Sequence, residues 1–337
     1  MENQPHPLLV VLMRQFRTPW HLATVVIAVV LFSLLILVGY LDGAFNQQIE
    51  GGFWRTGLQG PVLIIYILVI YPFILNLWKP AVEAFRPIVS MSENQFNRLS
   101  AEITMVSRRR EWVAVLIGIF LFLVIQRIWL GWVDQWFEVY QVTTEVILFG
   151  LLSWLIYSSI KGSRGIARLG KENLQLDIFN TKLLAPVARL SLGNSLVFIG
   201  GISLALLFET QETLIEWQSV VIYSVLVLAT ILIFYISMWS IHNIMARVKR
   251  YELEVAQKYM AEMSRKLKEW TTKGQTQGME ELSSAVAGWA AYERRVKEAQ
   301  EWPFNAGIIR RLFASILAPA VIYLLKVLSV LGIRISF

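Results

Sequence analysis

Three ionisable residues lie inside long apolar segments, where a charge is costly and therefore points to a function. Arg127 precedes Trp136 by nine residues and Glu145 follows it by nine. If these segments form a helical hairpin that turns near Trp136, both charges lie at the same depth. We therefore expect an intramembrane ion pair between Arg127 and Glu145. The pair either stabilises helix packing or gates a path for an ion or a small molecule.

The third ionisable residue, Lys326, lies near the C-terminus. Ser315, Ile322, Lys326 and Ser329 share one helical face, and Pro319 can bend that helix. Such a polar stripe can line a water-filled path, and a ring of lysines in an oligomer would favour anions. Alternatively, Lys326 extends its ammonium group to the membrane surface. These five residues are the pore-lining candidates.

Motifs for catalysis or cofactor binding are incomplete. Segment 165–171 follows much of the pattern of a phosphate-binding loop, but Glu172 stands where Ser or Thr must bind magnesium. His6, His21 and His242 lie outside or at the edges of the apolar segments, and the chain has no cysteine. Metal and thiol chemistry therefore lack ligands. We predict no enzymatic activity, no cofactor and no metal site.

The elements that position these residues are apolar. Of the 337 residues, 56% are hydrophobic and only 16% are charged, whereas soluble proteins have about 45–50% and about 25%. The net charge is +7. The basic residues are spread over several connecting segments and do not form one patch for nucleic acid. We therefore expect the chain to be surrounded by membrane lipids.

Seven apolar segments are about 20 residues long, the length that crosses the hydrocarbon core of a membrane. They cover residues 21–41, 58–78, 112–133, 140–160, 191–208, 217–241 and about 312–332. The predicted fold is all-α: a polytopic membrane protein with seven transmembrane helices.

The charge of the connecting segments alternates along the chain. Acidic residues follow the first, third and fifth apolar segments: Asp42, Glu50, Asp134, Glu138, Glu209, Glu212 and Glu216. Basic residues dominate the other connections: Lys79, Arg86, Arg98, Arg108, Arg109, Arg110, Lys161, Arg164, Arg168, Lys171, Lys182, Arg189, Arg247, Lys249 and Arg250. By the positive-inside rule, the N-terminus is cytoplasmic and the C-terminus is outside, in a plasma membrane or a bacterial inner membrane.

A helical hairpin is predicted between the sixth and seventh spans. Apolar residues recur at steps of four and three on both sides of a polar, glycine-containing turn at 271–278. The predicted seam, or alternatively an oligomer contact, consists of Met260, Met263, Leu267, Trp270, Leu282, Trp289, Tyr292 and Val296. We divide the chain into a six-span bundle (1–241), a cytoplasmic hairpin that continues the sixth helix (242–303) and a final transmembrane helix (304–337).

This order of elements resembles the insect chemoreceptor type of ligand-gated channel. The resemblance implies a tetramer whose last helix lines the pore. The Gln-Phe ending of those receptors is missing here, and Lys326 does not suit a cation pore.

The predicted function is that of a homo-oligomeric ion channel or channel-like transport protein with its C-terminal helix at the pore. The ligand would be an ion or a small molecule. The alternative is a non-catalytic membrane sensor or scaffold subunit that binds a partner through the cytoplasmic hairpin.

Overall fold

The chain is described by a computed structural model that covers residues 19–43, 52–104, 108–126, 135–170, 172, 177–179, 181–210, 213–214, 216–274 and 278–299. The regular structure of these residues is helical. The α-helices are α1 (Trp20–Leu41), α2 (Gly52–Glu83), α3 (Glu93–Thr104), α4 (Arg108–Gln126), α5 (Trp136–Leu169), α6 (Ala185–Phe208), α7 (Trp217–Thr272) and α8 (Met279–Glu298).

Five of these helices are long and apolar enough to cross a membrane: α1, α2, α5, α6 and α7. The number is that of a multi-pass membrane protein. Helix α4, which begins the predicted third span, carries four charged residues in its first turn and is described only to Gln126. The predicted seventh span lies outside the described residues. The described part of the chain therefore supports five spans where the sequence predicts seven.

Four helices form a closed ring. Helix α2 packs on α6, α6 packs on α7, α7 packs on α5, and α5 packs on α2. Helix α1 packs outside this ring on α2 and α5, and α4 packs on α5. Both outer helices expose large apolar side chains such as Val29 and Phe120, as expected for surfaces that face lipid.

Helix α2 contains Pro61, Pro72 and Pro80. Proline lacks an N–H group, so Pro72 leaves the carbonyl oxygen of Leu68 without its usual helical donor. The indole Nε1 of Trp20 donates to that oxygen at 2.8 Å. Helix α1 is thereby attached to α2 where the backbone of α2 is interrupted.

The two ends of the ring differ in charge. At one end, called here the acidic end, lie Asp42, Glu138, Glu209 and Glu216. The carboxylate of Asp42 accepts hydrogen bonds from the backbone N–H groups of Trp136 and Phe137, at 3.3 and 2.7 Å. These are free N–H groups at the start of α5, which favour a negative charge.

At the other end, called here the basic end, lie Arg86, Arg108–Arg110 and Arg168. Helix α3 starts there with a reciprocal cap between Ser92 and Gln95: each side chain bonds the other's backbone N–H, at 3.4 and 3.1 Å. This capping box agrees with the Ser92–Gln95 spacing in the sequence. Phe96 buries the apolar face of α3 against the core.

Helix α7 is continuous for 56 residues, which corresponds to about 84 Å at the standard rise. Its N-terminal part belongs to the ring, and its C-terminal part extends beyond the basic end. Gly278, which has a left-handed φ of 84°, precedes α8. Helix α8 then packs along α7.

Candidate functional site

A cavity of about 360 Å³ lies inside the acidic half of the four-helix ring. Its lining runs on α5 from Gln141 to Leu155 and on α2 from Thr56 to Ile67, a depth of about 16–21 Å at 1.5 Å per residue. The floor of the cavity is formed by Ile67, Leu155, Phe198 and Leu226, together with Val197. A polar mouth and an apolar floor are typical of a binding cavity.

Glu209 dominates the mouth of the cavity. Its carboxylate accepts hydrogen bonds from Gln59 Nε2 at 3.1 Å, Thr213 Oγ1 at 2.7 Å and Tyr223 Oη at 2.9 Å. Donors from α2, α7 and the segment after α6 therefore hold one carboxylate in place.

Arg55 also lies at the mouth, but its donors bond backbone oxygens. Its guanidinium group donates to the carbonyl oxygens of Phe208 (2.7 Å), Leu207 (3.2 Å) and Glu209. These carbonyls end α6 and have no helical donor, so a cation there satisfies them and complements the helix dipole. Arg55 offsets part of the negative charge of the mouth without lining the cavity.

Glu145 lines the same cavity from α5 and accepts a hydrogen bond from Gln141 Nε2 at 3.1 Å. The carboxylates of Glu145 and Glu209 lie close enough to interact electrostatically. Glu216 is a third lining carboxylate, and no lysine or arginine of the described residues lines the cavity. The lining is therefore suited to cations.

Tyr66 forms one wall of the cavity. Its hydroxyl group donates to the carbonyl oxygen of Val197 at 2.8 Å, and its ring lies against Gly200 and Gly201. A Cβ atom on Gly200 would stand 2.5 Å from the Tyr66 hydroxyl oxygen. Gly200 and Gly201 thus leave room on α6 for a tyrosine side chain.

One helical turn below the floor, toward the basic end, each ring helix carries a buried polar residue. Tyr71 follows Ile67 by four residues, Ser159 follows Leu155, Thr230 follows Leu226, and Asn194 precedes Phe198 on the antiparallel α6. Residues four apart share a helix face. All four are at most 2% exposed. We call Tyr71, Ser159, Asn194 and Thr230 the polar layer.

Most of this layer is not hydrogen-bonded. The hydroxyl group of Tyr71, the hydroxyl group of Ser159 and both amide atoms of Asn194 have no partner among the described residues. Thr230 donates to the carbonyl oxygen of Leu226 at 2.8 Å and keeps its oxygen lone pairs. Leaving one buried polar group unpaired costs about 1–3 kcal/mol.

A further buried carboxylate lies on α4, outside the ring. Glu111, on the first turn of α4, is 1% exposed and accepts a hydrogen bond from Trp154 Nε1 at 3.2 Å. The Trp154 ring lies 4.8 Å from the ring of Tyr71. Glu111 also interacts electrostatically with Lys161 of α5. On the ring axis itself, apolar residues fill the basic end, among them Leu190, Met238 and Ile241.

Two of the predicted seam residues, Trp289 and Tyr292 of α8, contact α7. Trp289 stacks on Tyr259 with ring centres 4.8 Å apart, and Tyr292 donates to Glu252 at 2.9 Å. Val296 is fully buried. The other seam candidates are half-buried: Met260, Met263, Leu267, Trp270 and Leu282.

A short segment after α5 contacts α8 as well. The ring of Phe179 lies 5.9 Å from that of Tyr292, edge to face, and the guanidinium group of Arg295 stands 4.5 Å above it. Both contacts join α8 to the connection between two ring helices, which couples α8 to the bundle.

The predicted site residues have different outcomes. Glu145 lines the cavity, whereas its predicted partner Arg127 lies outside the described residues. The pore-lining candidates Ser315, Pro319, Ile322, Lys326 and Ser329 also lie outside them. Within the described ranges, no three histidine or carboxylate side chains come together to hold a metal ion.

Sequence reasoning missed the polar layer and Glu111. A polar residue within each of four apolar segments was the available signal. Whether such residues meet depends on how each helix is rotated about its axis, and the sequence does not state this. Comparison with protein-family models, curated proteins and solved structures finds no match to this chain.

Proposed function

We propose that this chain is a channel-type transport protein that admits cations through the cavity at the acidic end of the ring. The observation that carries the proposal is a cavity enclosed by four helices able to cross a membrane and lined by Glu145, Glu209 and Glu216. Carboxylates at the mouth of a low-dielectric cleft concentrate cations and repel anions.

The topology predicted from the sequence belongs to this proposal. Seven spans, a cytoplasmic N-terminus and an outside C-terminus put the acidic end on the outer face. Assembly as a homo-oligomer with residues 304–337 at a central pore is a separate expectation from the sequence, distinct from the cation path through each ring. The mass of the detergent-solubilised particle tests assembly, because a monomer rules out a shared pore.

The absence of cysteine in the chain allows a sharp test. Ile222 lines the cavity, whereas Val221, at nearly the same depth, does not line it and is 41% exposed on the apolar surface. Each is replaced by cysteine in turn, and the protein is reconstituted in liposomes for measurement of K⁺ and Cl⁻ flux. A cationic and an anionic thiosulfonate of similar size are then applied.

We expect K⁺ flux to exceed Cl⁻ flux. The cationic reagent should modify Ile222→Cys faster than the anionic reagent and reduce the flux. Val221→Cys should react with neither, because a thiol in lipid stays protonated. Absence of cation flux from the parent protein, or equal rates with both reagents, would contradict the proposal.

A second candidate function is a sensor or scaffold subunit that acts through the α7–α8 hairpin. The contacts of Phe179 with Tyr292 and Arg295 favour it, because they connect the hairpin to the bundle. Two results would favour this candidate over transport. The reconstituted protein would conduct no ions, and a partner protein would co-purify in stoichiometric amount but fail to bind the Phe179→Ala variant.

A further inference from the structure

The cavity floor is separated by a single helical turn from the polar layer of Tyr71, Ser159, Asn194 and Thr230. Buried polar groups in folded proteins are nearly always hydrogen-bonded. Here three of four layer residues have polar atoms without a partner among the described residues, and every residue of the layer is at most 2% exposed. Such a layer across the axis of a helix ring has the composition of a ligand site.

We propose that the polar layer is an inner position of the transport path and binds a small inorganic cation, Na⁺ or K⁺, an inference that rests on the proposed function. Hydroxyl and amide oxygens are neutral ligands that replace the water oxygens around a monovalent cation. The layer contains no carboxylate, so the cation is held weakly enough to leave again.

The position of the layer explains why only a small cation is expected to bind there. The cavity above it is wide and carries the charges that attract cations. The layer itself is closed to solvent: Ser159, Asn194 and Thr230 continue the helix faces that line the cavity and are at most 2% exposed. The ring of Tyr71 packs to one side, between Trp20 of α1 at 5.6 Å and Trp154 at 4.8 Å. An organic cation that enters the cavity is therefore stopped at the layer, whereas a partly dehydrated Na⁺ or K⁺ ion fits among the oxygens.

Asn194→Leu tests this inference in the full chain reconstituted in liposomes. Leucine has a similar volume but offers no polar atom, so the Tm should stay the same or rise, because unpaired buried polar atoms are removed. K⁺ flux should fall at least tenfold. Thr24→Val is the matched control: Thr24 is also buried, but it lies on α1 outside the ring and bonds the Trp20 carbonyl. Its flux should equal that of the parent.

Ser159→Ala is a second variant that removes only one oxygen, and it should lower K⁺ flux about threefold. Flux of N-methyl-D-glucamine, a large organic cation, should be at least tenfold below that of K⁺ in the parent protein. Parental flux in both Asn194→Leu and Ser159→Ala would overturn the inference, as would equal flux of the two cations. Suppose that the parent protein conducts cations and that the cationic reagent blocks Ile222→Cys, while both layer variants keep the parental flux. In that case the proposed function stands and only the inner site is ruled out.

Discussion

The indole N–H of Trp154 donates to the carboxylate of Glu111 across 3.2 Å, between two side chains that are each 1% exposed. This bond joins α4 to α5 outside the four-helix ring. A buried carboxylate is tolerated only when donors or cations satisfy it, and Lys161 interacts with the same group. The contact therefore holds the basic end of the bundle together.

Substitutions at this pair should not be additive. Trp154→Phe removes one donor to a charged acceptor and should lower the free energy of unfolding by about 1–2 kcal/mol. Glu111→Ala also leaves Lys161 without this carboxylate and should cost about 3 kcal/mol. Because the residues are in contact, the double variant should cost less than the sum. Chemical unfolding in mixed micelles measures all three, and strict additivity would contradict the pairing.

The hydrogen bond from Trp20 to the Leu68 carbonyl oxygen can be tested by a second double-mutant cycle. Trp20→Phe should cost about 1–2 kcal/mol, because the carbonyl loses its donor. Pro72→Ala restores a backbone N–H that can bond the same oxygen. In a Pro72→Ala background, Trp20→Phe should therefore cost clearly less, again by chemical unfolding. An equal cost in both backgrounds would show that the indole stabilises the protein only by packing.

Two glycines should respond in opposite directions to alanine. A methyl group on Gly118 of α4 would overlap the backbone carbonyl of Phe149 on α5, whereas one on Gly288 of α8 would meet no atom within 4 Å. Gly118→Ala should destabilise the protein by about 2 kcal/mol, because backbone cannot move aside like a side chain. Gly288→Ala should stabilise it by about 0.5–1 kcal/mol through helix propensity. Thermal unfolding compares the two, and a harmless Gly118→Ala would contradict the close approach of α4 and α5.

The contact between α7 and α8 should weaken in acid. Glu293 bonds Lys297 at 2.8 Å and Gln257 at 3.1 Å, and these bonds hold the pKa of its carboxyl group below the usual range. A lowered folded-state pKa means that the stabilisation is present above the unfolded-state pKa. It is lost as the pH falls through the folded-state value.

Amide hydrogen exchange of residues 279–298, corrected for the intrinsic effect of pH, measures this loss. Protection should decrease below about pH 4. Glu293→Gln, which keeps a hydrogen-bond acceptor but no charge, should remove the part of the pH dependence that comes from this group. The same acid response in Glu293→Gln would assign it to other carboxyl groups.

Much of the secondary structure could be predicted because its signals are local. Apolar length marks the helices that contain residues 21–41, 58–78, 140–160, 191–208 and 217–241, and the Ser92–Gln95 spacing marks the start of α3. The ion pair of Arg127 with Glu145 and the pore candidates of 304–337 stay predictions, since one partner or all residues lie outside the described part of the chain.

The sequence by itself determined that long apolar helices alternate between connections of opposite charge, because hydropathy and charge are properties of each segment alone. Only the tertiary structure decided which faces of α2, α5, α6 and α7 meet. Each helix can rotate about its axis without any change in hydropathy, yet the rotation brings Glu145 to Glu209 and aligns Ser159, Asn194 and Thr230 beneath one cavity. Close packing between side chains, such as Tyr66 against Gly200, selects that rotation, and no pattern within a single segment records it.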